Sequence, residues 1–213
     1  QACQELWQQT QVVEQNLKEK VTAVTLTTQR GTVVNLDKDG QVLRPAILWL
    51  DQRLSDLDSA QNRSLSWYWR LAFSVIRKTD VIHYFQRKAQ ANWFAQYQAE
   101  LWQKTDKFLL LSGFLTYQLT NEFKDSIGCQ VGYLPFDYKK QQWAAKSDWK
   151  WHILPLTKKM LPVLVKPGQL LGLITDEASK VTGLPVGTQL IASASDKACE
   201  VLGSGCIEPT TAS

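Results

Sequence analysis

The stretch Gly187-Thr-Gln-Leu-Ile-Ala-Ser-Ala-Ser-Asp196-Lys-Ala-Cys-Glu-Val-Leu-Gly-Ser-Gly205 reads as a turn, a short apolar run, small residues, a carboxylate and a helix. An apolar run bounded by turn signals suits a buried strand. Ser193, Ala194 and Ser195 are small, so a ligand can approach the backbone there. The pattern puts Asp196 where a strand gives way to a helix. In open α/β sheets that edge, outside the carboxyl ends of the strands, is where ligands bind. Two readings of Asp196 follow. It N-caps a helix over Lys197–Leu202, as Asp does well, or it turns its carboxylate toward a ligand.

Working outward, the segment from Val24 to Arg53 is the next most ordered. Val21–Thr27 and Val33–Leu36 are β-branched strand candidates. Asp37-Lys-Asp-Gly40 is a turn in which glycine supplies the positive φ. Val42–Leu43 and Ala46–Leu50 are expected to continue as strands, with Pro45 at an edge or a strand start. Gln4–Lys18 has the spacing of an amphipathic helix through Leu6, Trp7, Val13 and Leu17. From Lys107 to Ser126 the pattern predicts helix, turn and short strand, with Leu111, Phe114, Leu115 and Leu119 on one helical face. Trp93, Tyr97 and Leu101 also share a face. The chain has nine tryptophans. They serve either as core packing or as a carbohydrate-stacking surface.

Composition bounds the class. The 213 residues are 44% hydrophobic and 21% charged, which suits a globular domain with its own core. The net charge of +4 is mild. Lys and Arg are scattered rather than striped, so a nucleic-acid partner is not expected. No run approaches the length of a membrane span. Cys3, Cys129, Cys199 and Cys206 form no C-x-x-C pair, and only His83 and His152 could join them, so a zinc site is not expected and reduced thiols are. Asn62-Arg-Ser64 is a formal glycosylation sequon without a signal peptide to support its use. A cytoplasmic location is the expectation.

Three sets of residues together resemble the FGGY family of carbohydrate kinases. One is Ala194-Ser-Asp-Lys-Ala-Cys199 with Gly203 and Gly205 behind it. The second is the Gln29-Arg30 element followed, after a hairpin, by Arg44-Pro-Ala-Ile-Leu-Trp-Leu-Asp-Gln-Arg53. The third is the later run of Leu161-Pro-Val-Leu, Pro167-Gly168, Leu171-Gly172 and Thr182-Gly-Leu-Pro-Val-Gly-Thr188, with Tyr133–Asp137 and Gln142-Trp143 ahead of it. The similarity runs from about Val21 to Ser213 and is weakest over Asn62–Gln103. Ser195 stands where the family more often has Gly.

The resemblance implies an α/β fold of the ribonuclease H-like type shared with actin and hexokinase, a mixed sheet with helices on both faces. It implies ATP-dependent phosphorylation of a hydroxyl on a sugar, polyol or sugar acid, with ATP and Mg²⁺ as cofactors. By family match, Asp196 is the general base and also stands near the Mg²⁺ shell. Gln29 and Arg30 bind substrate hydroxyls, and Trp49 packs on the substrate's carbon backbone. Asp51 either lines the same cleft or pairs with Arg53. Asp125 and Ser126 align near a substrate loop. Gly31 stands where glycerol kinases carry Glu, which favours a larger sugar or sugar acid. The resemblance also admits a homodimer.

The family opens with a D-x-G-T phosphate hairpin and continues into an ATP-binding domain, and neither is found in residues 1–213. The expectation is therefore most of the N-terminal sugar-binding domain of a two-domain kinase, inactive alone. Two alternatives are a catalytically inactive sugar-binding pseudokinase or regulatory remnant, and an unrelated interaction domain.

Overall fold

The computed structural model describes residues 2–11, 20–57, 67–75 and 79–206. The sequon at Asn62 and most of the C-terminal half of the amphipathic segment lie outside them. The described elements, in chain order, begin with helix α1 (Ala2–Gln11) and strands β1 (Ala23–Thr25) and β2 (Val33–Leu36). Four helices follow: α2 (Trp67–Val75), α3 (Thr79–Lys88), α4 (Gln90–Tyr97) and α5 (Ala99–Lys104). Then come β3 (Lys107–Leu110), α6 (Leu111–Thr120), β4 (Lys124–Ser126), β5 (Phe136–Asp137), β6 (Gln142–Trp143) and α7 (Trp149–Ile153). A 3-10 turn at Lys158–Met160 leads to β7 (Val163–Val165), β8 (Leu170–Leu173), α8 (Asp176–Thr182), β9 (Gln189–Ile191) and α9 (Asp196–Gly203).

The chain divides into two compact units. Unit 1 is residues 1–30, 110–129 and 162–213; unit 2 is residues 31–109 and 130–161. In unit 1, β1 runs parallel to β9, with Ala23 opposite Gln189 and Thr25 opposite Ile191. The antiparallel β8 flanks β9 on its other side, and β4 pairs in parallel with β7. This mixture of parallel and antiparallel pairs with helices between them is an α/β arrangement. Leu171, Leu190 and Ala192 form a buried cluster, and Val24, Leu26, Leu119 and Val165 pack against it. In unit 2, β5 and β6 make a short hairpin, and β2 pairs with β3.

Several sequence expectations hold, and others change for physical reasons. The Asp37–Gly40 turn forms, with Gly40 at φ +76° and the Asp37 carboxylate accepting the Asp39 and Gln41 N–H groups. Beyond it, Val42 and Ile47 make only single bridges, to Leu36 and Val33. No strand runs through Ala46–Leu50, because Pro45 has no N–H to extend a ladder and Leu48, Trp49 and Leu50 turn outward to solvent. Lys107–Leu110 is a strand, and the helix begins only at Leu111. Trp93 and Tyr97 do share a helix face, their rings 5.6 Å apart. Leu101 does not join them, because Gln98 at φ −135° breaks the helix into α4 and α5.

Helix α6 keeps its apolar face but buries the opposite one most completely. Its fully buried residues are Ser112, Gly113, Thr116 and Thr120, while Leu111, Phe114, Leu115 and Leu119 are half-buried. Small residues let the helix lie directly on strands. A Cβ at Gly113 would come within 3.2 Å of the Asp125 carboxylate, and one at Gly172 within 2.6 Å of Thr120.

Candidate functional site

In unit 1 the carboxyl ends of β1 and β9 lie side by side, and the backbone beyond them remains paired. The Asp196 N–H donates to the Thr28 carbonyl at 3.1 Å. The Thr27 hydroxyl donates to the Ala194 carbonyl at 2.8 Å. A third segment, the turn after β4, closes on the same place. Gly128 bridges Ala194 in parallel, the Ser195 N–H donates to the Gly128 carbonyl, and the Ser126 hydroxyl donates to the Ser193 carbonyl. This approach needs glycine, since a Cβ at Gly128 would lie 2.9 Å from the Ala194 Cβ. The small residues of Ser193–Ser195 thus serve close contact with the turn at Gly128, where their size had suggested approach by a ligand.

Asp196 is the first residue of α9 and is half-buried. Ser195 holds the N-cap position and makes no side-chain cap bond. The cap reading of Asp196 is therefore displaced by one residue. Its Oδ1 accepts the adjacent Lys197 N–H at 2.7 Å, and a carboxylate in the first turn is favourable toward the helix dipole. Lys197 pairs with Glu200 at 2.6 Å rather than with Asp196. Gln29 and Arg30 directly follow Thr28, whose carbonyl accepts the Asp196 N–H. Arg30 is exposed, and its positive charge is felt by Lys197.

Asp125 belongs to the same unit but is only 1% exposed. Its carboxylate accepts the Ser112 hydroxyl at 3.0 Å and the Ser126 N–H at 2.8 Å. It braces the turn that reaches Gly128. Two thiols flank this region. Burial, with the Asp125 charge next, pushes the Cys129 thiol up to about 12. Hydrogen bonding with the Thr27 and Ser193 hydroxyls lowers that of Cys199.

Trp49 and Asp51 lie in unit 2. Trp49 is 55% exposed, and its Cβ would stand 3.3 Å from a Cβ at Gly31, whose φ is +77°. The Gln90 side chain holds the Gly31 carbonyl at 3.3 Å. Asp51 pairs with Arg53, whose Nε lies 2.8 Å from both carboxylate oxygens. That bond is the main reason the Asp51 carboxyl sits below its usual range. The Arg53 guanidinium in turn lies 4.3 Å over the Trp93 ring, a cation–π contact. Of the two readings of Asp51, the structure contains the ion pair. Thr27, Thr28, Gly128 and the pairing of Trp93 with Arg53 were not expected from the sequence. Gly128 and the hydroxyl pair at Thr27 carried a size and polarity signal, whereas Trp93 is separated from Arg53 by a stretch of weak pattern.

Among the described residues no group of three or more His, Cys, Asp or Glu is placed to hold a metal, and no helix is long and apolar enough to cross a membrane.

Residues 1–203 match the model of the N-terminal domain of the FGGY family of carbohydrate kinases. Over 104 residues, 47% of the chain, the sequence is 41% identical to a protein of Escherichia coli called uncharacterized sugar kinase YgcE. Over 98% of the chain it is 26% identical to the xylulose kinase of Staphylococcus epidermidis. The structure superposes on xylulose kinase from Rhodospirillum rubrum with a TM-score of 0.67 and 21% identity, over 88% of this chain and 38% of that one. Glycerol kinase from Plasmodium falciparum matches at a TM-score of 0.62 and 18% identity, over 95% of this chain and 40% of that one. At those identities the likeness is one of fold. The matched stretches span 20% of the length of YgcE and 39% of that of the S. epidermidis kinase.

Proposed function

The chain belongs to the FGGY family of carbohydrate kinases, and from that premise we propose that it forms the sugar-binding part of an enzyme that transfers a phosphoryl group from ATP to a hydroxyl of a sugar, polyol or sugar acid. The observation that carries this reading is the position of Asp196. A half-buried carboxylate stands at the joined carboxyl ends of two parallel strands, its N–H held by Thr28, two residues ahead of the exposed Arg30. The α/β core is read as the ribonuclease H-like one, and a cytoplasmic setting fits a soluble sugar substrate.

Phosphoryl transfer passes through a loose transition state, so catalysis is mostly positioning and charge neutralisation. Asp196 accepts the proton of the attacking hydroxyl. The backbone bonds of its N–H to Thr28 and of Ser195 to Gly128 fix where that carboxylate stands. Arg30 and Gln29 donate to substrate hydroxyls, a task for which fixed guanidinium and amide N–H groups suit. Within unit 2, Trp49 exposes its ring and the Asp51 carboxylate is fixed by Arg53, features suited to carbohydrate contact. Asp125, being buried, takes part through the turn it braces. Mg²⁺ prefers carboxylate and phosphate oxygens without a dedicated protein cage, so one carboxylate at Asp196 fits a role in its shell. When bound, Mg²⁺ would neutralise phosphate charge.

The test is ADP release with ATP and Mg²⁺ over a panel of ketoses, polyols and sugar acids. It would use a longer protein joining this domain to an ATP-binding domain. Sugar-dependent release that falls by about 10²–10⁴ in Asp196→Asn is expected. Release that survives the substitution refutes the base assignment, and no release with any sugar refutes the kinase reading. Residues 1–213 alone are expected to release none.

A further inference from the structure

Unit 2 contains a cavity of about 400 Å³ that the kinase reading does not use. It lies between the Asp37–Gly40 turn, the end of α5 and the 3-10 turn, and its polar lining includes Lys38, Gln103, Lys104, Thr105, Asp106 and Lys159. A cavity of this volume falls in the range of small-molecule sites.

The charges of its wall are unequal in availability. Asp37 is committed to two backbone N–H groups at 2.9 Å. Asp106 holds Lys107 at 2.6 Å, and that bond is the main reason its carboxyl is depressed, with Lys159 adding to it. Thr105 donates its hydroxyl to the Leu101 carbonyl. Lys38, Lys104 and Lys159 form no salt bridge among the described residues. Position at a helix C-terminus accounts for Lys104. It does not account for Lys38, which comes from a hairpin turn, or Lys159, which comes from a 3-10 turn. Three segments distant in sequence thus bring lysines to the wall of one concavity. Behind Thr105, the buried Asn35 donates its amide N–H to the threonine hydroxyl, while its own oxygen lacks a partner.

We propose that this cavity is a second ligand site, for a small phosphorylated molecule, with Lys38, Lys104 and Lys159 holding the phosphate and Gln103 available to a hydroxyl. Ammonium groups are compact point charges that bind phosphate from several directions without a fixed fork geometry. Trp49, Asp51 and Asp196 do not line this cavity.

The test is titration calorimetry of the 213-residue chain at low salt, with glucose 6-phosphate and inorganic pyrophosphate as probes and glucose as the uncharged control. Saturable binding of a phosphate probe is expected. It should weaken roughly tenfold or more in Lys104→Ala/Lys159→Ala. It should be unchanged in Lys139→Ala/Lys140→Ala, which removes the same charge from another hairpin, and in Asp196→Asn. If the first pair fails to fold by circular dichroism, Lys159→Ala alone, at an exposed position, takes its place. No binding of either probe, equal loss in both lysine pairs, or loss in Asp196→Asn with retention in the cavity variant each overturns the proposal. None of these outcomes bears on ADP release, so the two readings fail separately.

Discussion

Gly128 and Cys129 are adjacent, and each makes a prediction of its own. Gly128→Val places side-chain carbons into the Ala194 contact, where even a Cβ would stand at 2.9 Å. Overpacking of this kind costs about 1–3 kcal/mol, measurable as a lower midpoint in urea, and a wild-type midpoint would contradict the close approach. Cys129 is 3% exposed, and its thiol is raised from 9.0 to about 12. Between those values the unfolded chain has lost the thiol proton and the folded chain keeps it. Stability therefore falls as pH rises through that window. Cys129→Ala should flatten this part of the profile, in chemical denaturation followed from pH 8 upward. The identity of Asp196 as a strand-to-helix carboxylate was legible, because an apolar run, small residues and a helix follow in order. Its neighbours were not. Which backbone carbonyl meets the Asp196 N–H depends on which strands pair, and no local pattern encodes the choice of Thr28.

At the scale of elements, two helices with similar starts differ in how they are capped. In α8 the Thr175 hydroxyl accepts the Ala178 N–H, and Gly183 closes the other end at φ +75°. In α9 the N-cap Ser195 makes no such bond. Thr175→Ala should cost about 1 kcal/mol, and Ser195→Ala should cost less if the cap alone is counted, as thermal melts of the two variants would reveal. Helix α9 was readable from sequence, as was the Asp37–Gly40 turn, because local residues dictate them. The short strands after that turn were not. Val42–Leu43 and Ala46–Leu50 have strand composition, but Pro45 and the outward turn of Trp49 leave only isolated bridges. The apolar face of α6 was legible too, but not the small-residue face that lies against the strands. Hydrophobic spacing marks what is apolar, whereas Gly113 and Thr120 are buried because strands lie against them.

For the whole molecule, the chain passes from one unit to the other and back, so that residues 31–109 and 130–161 interrupt unit 1. Helices α3, α4 and α5 of unit 2 are local in sequence, whereas the β1–β9 pair is not. Local contacts form sooner than distant ones. Pulse-labelled hydrogen exchange during refolding should therefore protect the helix amides of residues 79–104 before those of Val24 and Leu190, and the reverse order would contradict it. The same interruption has a consequence for synthesis in the cell. Thr27 and Ala194, which clasp the candidate site, are 167 positions apart. At roughly 5–20 residues per second, β1 leaves the ribosome on the order of ten to thirty seconds before β9 exists. For that interval an emerging strand edge waits beside the translating ribosome, where a chaperone that shields nascent β-segments would find it first.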